Sequence, residues 1–280
     1  MSKLLNRELW TPDSFRRRFG HVKHTLINTM SGKSIPNVPL KLFWDGFENL
    51  NDRILDKRGT PMQLKLKDWP SDNDIANFLP DNFEDLMRAL PIKDYTQRTG
   101  HFNLASMMPD FFVRPDLGPK MYIAYGNALS PDSTGSTNLH LDMSDACNLM
   151  IHVGLPKDCD QEEHIRVGLR DVLDSGVDTL TQRKLIESGN LPGAVWHIYN
   201  PRDADKIRDL LNKITVEKGQ KLEPNTDPIH DQRFYLDTKL RKRLYDEYGV
   251  VGYAFPQCEG DVVFIPAGAP HQVICKYNLF

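Results

Sequence analysis

Two segments constrain this chain more than anything else in it. One is His140-Leu141-Asp142; the other is Gly260-Asp261-Val262-Val263-Phe264-Ile265-Pro266-Ala267-Gly268-Ala269-Pro270-His271. Two imidazoles and one carboxylate are the minimum set that holds a mononuclear iron(II) on one face and leaves three positions open for chemistry. His140 and Asp142 stand two apart in a strand-like run beginning near Asn138, so the pleat sends both side chains to the same face of a sheet. The second histidine follows the apolar run Val262 to Ile265 and a Pro-Ala-Gly-Ala-Pro turn that ends the strand beside a pocket. With nine histidines, a bare His-x-Asp/Glu arises about once by chance. The distal Gly-Asp-x4-Pro-x-Gly-x-x-His arrangement is far rarer, and the pairing of the two points to a metal site formed by His140, Asp142 and His271.

Composition narrows the surroundings. A chain of 280 residues is long enough to bury a sizeable core, as one large β domain with helical additions or as two ordinary domains. No stretch approaches the roughly eighteen consecutive apolar residues of a membrane span. The N-terminus lacks a secretory apolar core. Cys147, Cys159, Cys258 and Cys275 show no Cys-x-x-Cys spacing, which fits neither a zinc ribbon nor a disulfide framework and points to a reducing compartment. A net charge of −3 argues against a phosphate-backbone binder, so no direct sequence-specific nucleic-acid binding is expected. Arg16-Arg17-Arg18 and Arg241-Lys242-Arg243 read as solvated helix faces.

Two zones follow along the chain. Residues 1–118 read as a mixed α/β lead-in. A helix starts at Thr11-Pro12-Asp13, and an apolar stripe of Leu42, Phe43, Phe47 and Leu50 runs through residues 41–51. Met62, Leu64 and Leu66 alternate with Gln63, Lys65 and Lys67 as a half-buried strand. Residues 82–90 form a short helix stopped by Pro91. Residues 119–280 change character: 121–125, 139–142, 148–153, 194–199 and 262–265 look like strands. A polar, largely helical insertion, roughly 160–248, lies among them and includes a helix capped by Asp237. Short strands, long connections and ligands on or beside two strands predict a mainly β jelly-roll double sheet with an α/β lead-in and helical decoration.

Longer stretches carry a family resemblance. Ser136 to Ala146, Phe112 to Tyr122, Pro192 to Tyr199 and Gly260 to Val273 closely resemble the jumonji-C domain of subfamily-3 histone lysine demethylases. So do Leu64-Lys65-Leu66-Lys67-Asp68-Trp69-Pro70 and Asp227 to Gln232, and the likeness runs from about Leu9 to Val273. The resemblance implies a cupin-like double-stranded β-helix that uses iron(II), 2-oxoglutarate and dioxygen. It implies His140, Asp142 and His271 as iron ligands, Thr137 as a hydrogen-bond donor to the distal carboxylate of 2-oxoglutarate, and Lys157 as its charge partner. A dicarboxylate in a barrel mouth needs such a cation and hydroxyl, because an unpaired buried carboxylate is very costly. By the same resemblance the substrate is mono- and dimethylated lysine-9 of the histone H3 tail, the partners are chromatin and a second copy of the chain, and the location is the nucleus.

The chain departs from that family in two places. No zinc-finger module precedes the domain, so the chain reads as a catalytic fragment, an isoform or a partial product. The match also ends at Val273, with only Ile274 to Phe280 following. The family continues there into another barrel strand and helices, so an incomplete barrel with an unpaired sheet edge beside the metal is expected. Three readings stand open: an active demethylase, a weak or inactive chromatin-binding module that keeps the ligands, and a protein hydroxylase of the same chemistry. Tyr122 and Tyr125 either line a methyl-lysine site or belong to the core. Asn148 is expected to satisfy backbone groups, and His152, His197 and His230 to be ordinary partnered histidines.

Overall fold

The structure is a computed structural model that describes residues 4–71, 73–114, 117, 119–126 and 135–280. Gly118, where the lead-in was expected to end, lies outside the described residues, as do Pro115 and Asp116. Twelve strands occur among the described residues: β1 (Lys23–Asn28), β2 (Ser34–Pro39), β3 (Leu64–Trp69), β4 (Met121–Ala124), β5 (Thr137–His140), β6 (Ala146–Leu149), β7 (Val153–Gly154), β8 (Pro192–Ile198), β9 (Tyr253–Cys258), β10 (Val262–Ile265), β11 (His271–Cys275) and β12 (Asn278–Leu279). They form a six-stranded sheet ordered β2-β1-β3-β4-β12-β7, a four-stranded sheet β5-β11-β8-β9 and the pair β10-β6. Every pairing is antiparallel. The result is a jelly-roll with helices on its outer faces.

Local sequence explains the supporting elements. Thr11 accepts from the Ser14 N–H at 3.1 Å with Pro12 in the first turn, and the helix Pro12–Phe19 starts there as expected. The stripe at residues 41–51 becomes the helix Leu40–Glu48, which buries Phe43, Trp44 and Phe47. In β3 the alternation holds: Leu64 and Leu66 are buried while Lys65 and Lys67 are half-buried. Those leucines join Phe15, Trp44, Trp69 and Ile123 in a core between the N-terminal helices and the six-stranded sheet. A second core, between the sheets, holds Ala124, Met150, Ala194, Trp196, Val263, Ile265 and Cys275. The insertion supplies the helices Gln161–Asp174, Thr179–Ser188, Ala204–Glu217 and Thr238–Tyr248, the last capped by Asp237 on the Leu240 N–H at 2.8 Å. Leu210, Leu211 and Ile214 of the third of these pack with Leu139 and Tyr199, so helices cover the outside of the sheet that carries His140 and His271. β8 is buried along nearly its whole length for that reason.

Two expectations are corrected here. The unpaired sheet edge expected after His271 is not formed: residues 271–275 form β11, and β12 inserts between β4 and β7. Asn278 Oδ1 accepts from the Gly126 N–H at 2.6 Å. A Cβ on Gly126 would stand 2.5 Å from Tyr277 Cα, so only glycine admits the last segment this closely. Phe280 is 5% exposed and stacks on His152 with centroids 5.0 Å apart. β4 is therefore paired on both sides, by β3 and β12. The second correction concerns Asp142: β5 ends at His140, and the carboxylate lies just beyond the strand.

Candidate metal centre

β5 and β11 pair with His140 directly opposite His271 and Thr137 opposite Val273. Directly opposed residues share a sheet face, and so do residues two apart in one strand. His271 and Val273 therefore bring His140 and Thr137 onto one face, although three positions separate the latter pair. The register shift makes this work: two steps along β11 span three along β5, and the extra residue turns Thr137 toward the histidines. Simple alternation could not have placed it there.

The imidazoles of His140 and His271 lie with centroids 4.2 Å apart. His271 Nε2 is 3.8 Å from Asp142 Oδ2, and one ligand atom from each of the three residues falls within 4.8 Å of the others. Both rings are oriented from behind. His140 Nδ1 donates to Asn138 O at 2.9 Å, and His271 Nδ1 donates to Ala269 O at 2.9 Å. A carbonyl oxygen can only accept, so the proton sits on Nδ1 and the Nε2 lone pair of each ring faces the shared space. Burial pushes the His271 imidazole below its ordinary pKa, and the His140 ring beside it acts in the same direction. The neutral form, which a metal requires, is thereby favoured.

The two ligand loops are tied together. The Gly268 N–H donates to Asp142 O at 2.8 Å, and the Ala267 N–H to Asp145 Oδ1 at 2.7 Å. Gly268 has φ +70°, a conformation that favours glycine, which lets the turn before His271 reach the Asp142 loop. Trp196 lies nearly parallel to the His271 ring, at 6.0 Å and 23°. Its Nε1 donates to Gln257 Oε1 at 2.8 Å, and Gln257 Nε2 donates to Asn148 Oδ1 at 3.1 Å. Asn148 thus serves a side-chain relay rather than the backbone. Tyr125 is a core residue stacked on Phe43, with its hydroxyl donating to Phe43 O at 2.7 Å. Tyr122 is half-exposed; burial, then a hydrogen bond to Asp68, pushes its phenol up, and the Asp142 charge also acts on it. Among the other histidines, His152 stacks on Phe280 and His197 Nε2 donates to Ser175 O at 3.0 Å. Lys157 is not brought to the triad: its ammonium lies 2.9 Å from Glu48 Oε1, and its backbone N–H donates to Glu48 O at 2.7 Å. The lead-in helix that carries Glu48 claims that charge. No sequence signal marks Trp196 and Gln257 as supports; the register of β8 on β11, with Trp196 opposite Val273, and the Trp196–Gln257 hydrogen bond identify them.

The jelly-roll thus sets two histidines and an aspartate around one point. The family profile described as "JmjC domain, hydroxylase" matches residues 177–279, a stretch that includes His271. Over nearly its whole length the chain is similar to lysine-specific demethylase 3 of Drosophila melanogaster, 54% identical over 278 residues. Lysine-specific demethylase 3A of Mus musculus is 52% identical over 279 residues, and the probable JmjC domain-containing histone demethylation protein 2C of Homo sapiens is 42% identical over 272. These alignments cover 99%, 99% and 97% of this chain but 32%, 21% and 11% of the respective relatives. The chain therefore spans a third or less of their length. A JmjC hydroxylase domain implies iron(II) and 2-oxoglutarate, and the His-Asp-His donor set, with both Nε2 atoms free, suits iron(II). No helix among the described residues is long and apolar enough to cross a membrane.

Proposed function

We propose that this chain is an iron(II)- and 2-oxoglutarate-dependent lysine demethylase acting on mono- and dimethyl-lysine of the histone H3 tail, at lysine-9, in the nucleus. One observation carries the reading: three donors converge within 4.8 Å with both imidazole Nε2 atoms unencumbered. When bound, iron(II) with 2-oxoglutarate and dioxygen supplies the oxidising power to hydroxylate an N-methyl group, which then leaves as formaldehyde, with succinate and carbon dioxide as co-products.

The chain's own part is to hold and to exclude. His140, Asp142 and His271 hold the metal on one face. The Nδ1–H bonds to Asn138 O and Ala269 O fix the ring orientations. Thr137, on the same face, donates its hydroxyl to the distal carboxylate of the oxoacid. Lys157 would become the charge partner for that carboxylate only by leaving Glu48. Its side chain is 68% exposed in the pair with Glu48, and an exposed pair is worth only about 0–1 kcal/mol, so exchange of one carboxylate for another costs little. Trp196 shields the inner face of His271 from water. Half-exposed Asp142 leaves the outer side open to a peptide.

The test is an anaerobic titration with iron(II) and 2-oxoglutarate, read by the visible band of the chelate, followed by air and a dimethyl-lysine H3 peptide. A band that decays with equal yields of succinate and formaldehyde supports the demethylase. Succinate without formaldehyde in the presence of a peptide that becomes heavier by one oxygen atom moves the reading to a protein hydroxylase. Absence of the band in folded protein removes the enzyme reading and leaves a binding module.

A further inference from the structure

β3 carries a cation that no carboxylate of the described chain answers. Leu64 and Leu66 face the N-terminal core, so the alternation of a strand sends Lys65 to the other face, toward the space between the sheets. Its opposite neighbour on β4, Ala124, belongs to the core between the sheets. The Lys65 ammonium donates to Ser136 O, immediately before β5. Ser136 is buried, and its Oγ accepts from the Cys275 N–H of β11 at 2.7 Å. Lys65 thus starts in the six-stranded sheet and ends on the strand pair that carries His140 and His271.

Among the described residues Lys65 forms no ion pair; Asp68, on the same strand, stands by Lys67 at 4.0 Å. Burial, the largest influence on it, pushes the ammonium below its ordinary value. An ammonium has three donors, and the Ser136 carbonyl takes one. A half-buried cation without an anion is costly, so this placement calls for an anion from outside the chain.

Strand spacing says which anion. His271, Val273 and Cys275 stand on one face of β11 in steps of about 7 Å. The metal ligands mark the first position and Thr137, opposite Val273, the second. Ser136, which Lys65 now holds, lies between the second and the third. A five-carbon diacid chelated at the metal by its 1-carboxylate and 2-oxo group carries its distal carboxylate about one such step away, beside the Thr137 hydroxyl and one residue from the carbonyl on Lys65.

We propose that Lys65 is a cation for the distal carboxylate of 2-oxoglutarate, supplied by the sheet that does not carry the metal ligands. Exchanging Ser136 O for a carboxylate oxygen replaces a neutral acceptor with a charged one, which makes the stronger bond. The proposal rests on the reading of the chain as an enzyme that uses 2-oxoglutarate. It does not compete with Lys157, because a carboxylate has two oxygens to offer. Lys157 has a Glu48 pair to break first, and Lys65 has none.

The experiment is the anaerobic iron(II) titration, read by the visible band of the chelate, on the full chain and on Lys65→Met with two oxoacids. One is 2-oxoglutarate. The other is 2-oxovalerate, with the same chelating head and carbon count but a methyl group in place of the distal carboxylate. In Lys65→Met, 2-oxoglutarate should bind about tenfold more weakly or worse, the loss of one charge-assisted bond, while 2-oxovalerate stays within about twofold of the parent. The urea midpoint gives a readout without ligand: methionine keeps the stem and removes a desolvated charge, so the midpoint should hold or rise. Unchanged 2-oxoglutarate affinity in Lys65→Met overturns the proposal and leaves the enzyme reading intact. Equal loss for both acids, or a lowered midpoint, also overturns it, since the lysine then serves the metal end or the fold. No band with either acid in the folded parent removes the 2-oxoglutarate reading and this proposal with it.

Discussion

Phe280→Ala tests how far the end of the chain is part of the fold. The ring is 5% exposed. It meets Phe15 at 5.5 Å, Trp44 at 5.9 Å and His152 at 5.0 Å between centroids. Truncating a buried phenylalanine to alanine costs about 3–5 kcal/mol, and the tightness of this aromatic cage puts the change inside that range. Unfolding entropy near the midpoint is about 2.1 cal/mol/K per residue; over 280 residues that gives about 0.6 kcal/mol/K. The variant should therefore melt about 5–8 °C lower, read by calorimetry and checked by urea unfolding. Phe264→Ala is the control: that ring is 49% exposed on β10, so its loss should cost under about 1 kcal/mol. His152 gives a second signal. Burial holds its imidazole below the ordinary value, and opening the stack should bring its titration, followed by NMR, back up. If Phe280→Ala and Phe264→Ala cost the same and His152 does not move, the terminal segment is not docked and the closure of the sheet by β12 is wrong.

Other perturbations follow from the same contacts. Asp85 is 2% exposed and accepts from Trp10 Nε1 at 2.8 Å and the Asn6 N–H at 2.9 Å; Asp85→Ala orphans both donors and should cost about 2–4 kcal/mol in urea unfolding. Lys157→Met should leave the urea midpoint within about 0.5 kcal/mol but weaken 2-oxoglutarate at least tenfold in the anaerobic titration; unchanged affinity would remove Lys157 from the co-substrate site. Burial raises Cys258 and Cys275 to about 11, so at pH 8 iodoacetamide should label Cys159 well before either, as read by peptide mass spectrometry. Since His152 is depressed in the folded chain, the unfolded chain takes up its proton first, near the ordinary value of about 6.5. Stability should fall as pH drops from about 7 toward 5, and His152→Phe should flatten part of that slope.

What the sequence revealed, and what it hid, has physical causes. Strand β10 and the alternating β3 were legible because an apolar run and a period of two are local signals. Capped helices were legible at Thr11 and Asp237 for the same reason. β1 and β2 were not: β2 is the edge strand of the six-stranded sheet and β1 its neighbour, and both expose polar positions on much of both faces, so no clean alternation marks them. β11 was read as a turn ending in a ligand because Pro266 and Pro270 bracket its approach. The fate of Ile274 to Phe280 was misjudged because nothing local reveals that Asn278 and Phe280 find buried partners far away in the chain. At the candidate site the residues His140, Asp142 and His271, which the structure brings together, stand out in sequence by type and order. The bulge that turns Thr137, the Trp196 face and the Glu48 pairing of Lys157 are properties of register and packing, which no window of sequence contains.

Because His140 and His271 are rungs of one hydrogen-bonded ladder, the gap between them is set by strand spacing and not by the chain that joins them. The connection can lengthen, shorten or exchange helices without altering the distance between the two imidazoles. A slip of a single residue in β11, by contrast, would send His271 to the far side of the sheet and erase the centre at a stroke. Variation in a molecule built this way is cheap in its loops and forbidden in its alignment. The surfaces that the insertion carries can thus change while the geometry of the two imidazoles beneath them stays fixed.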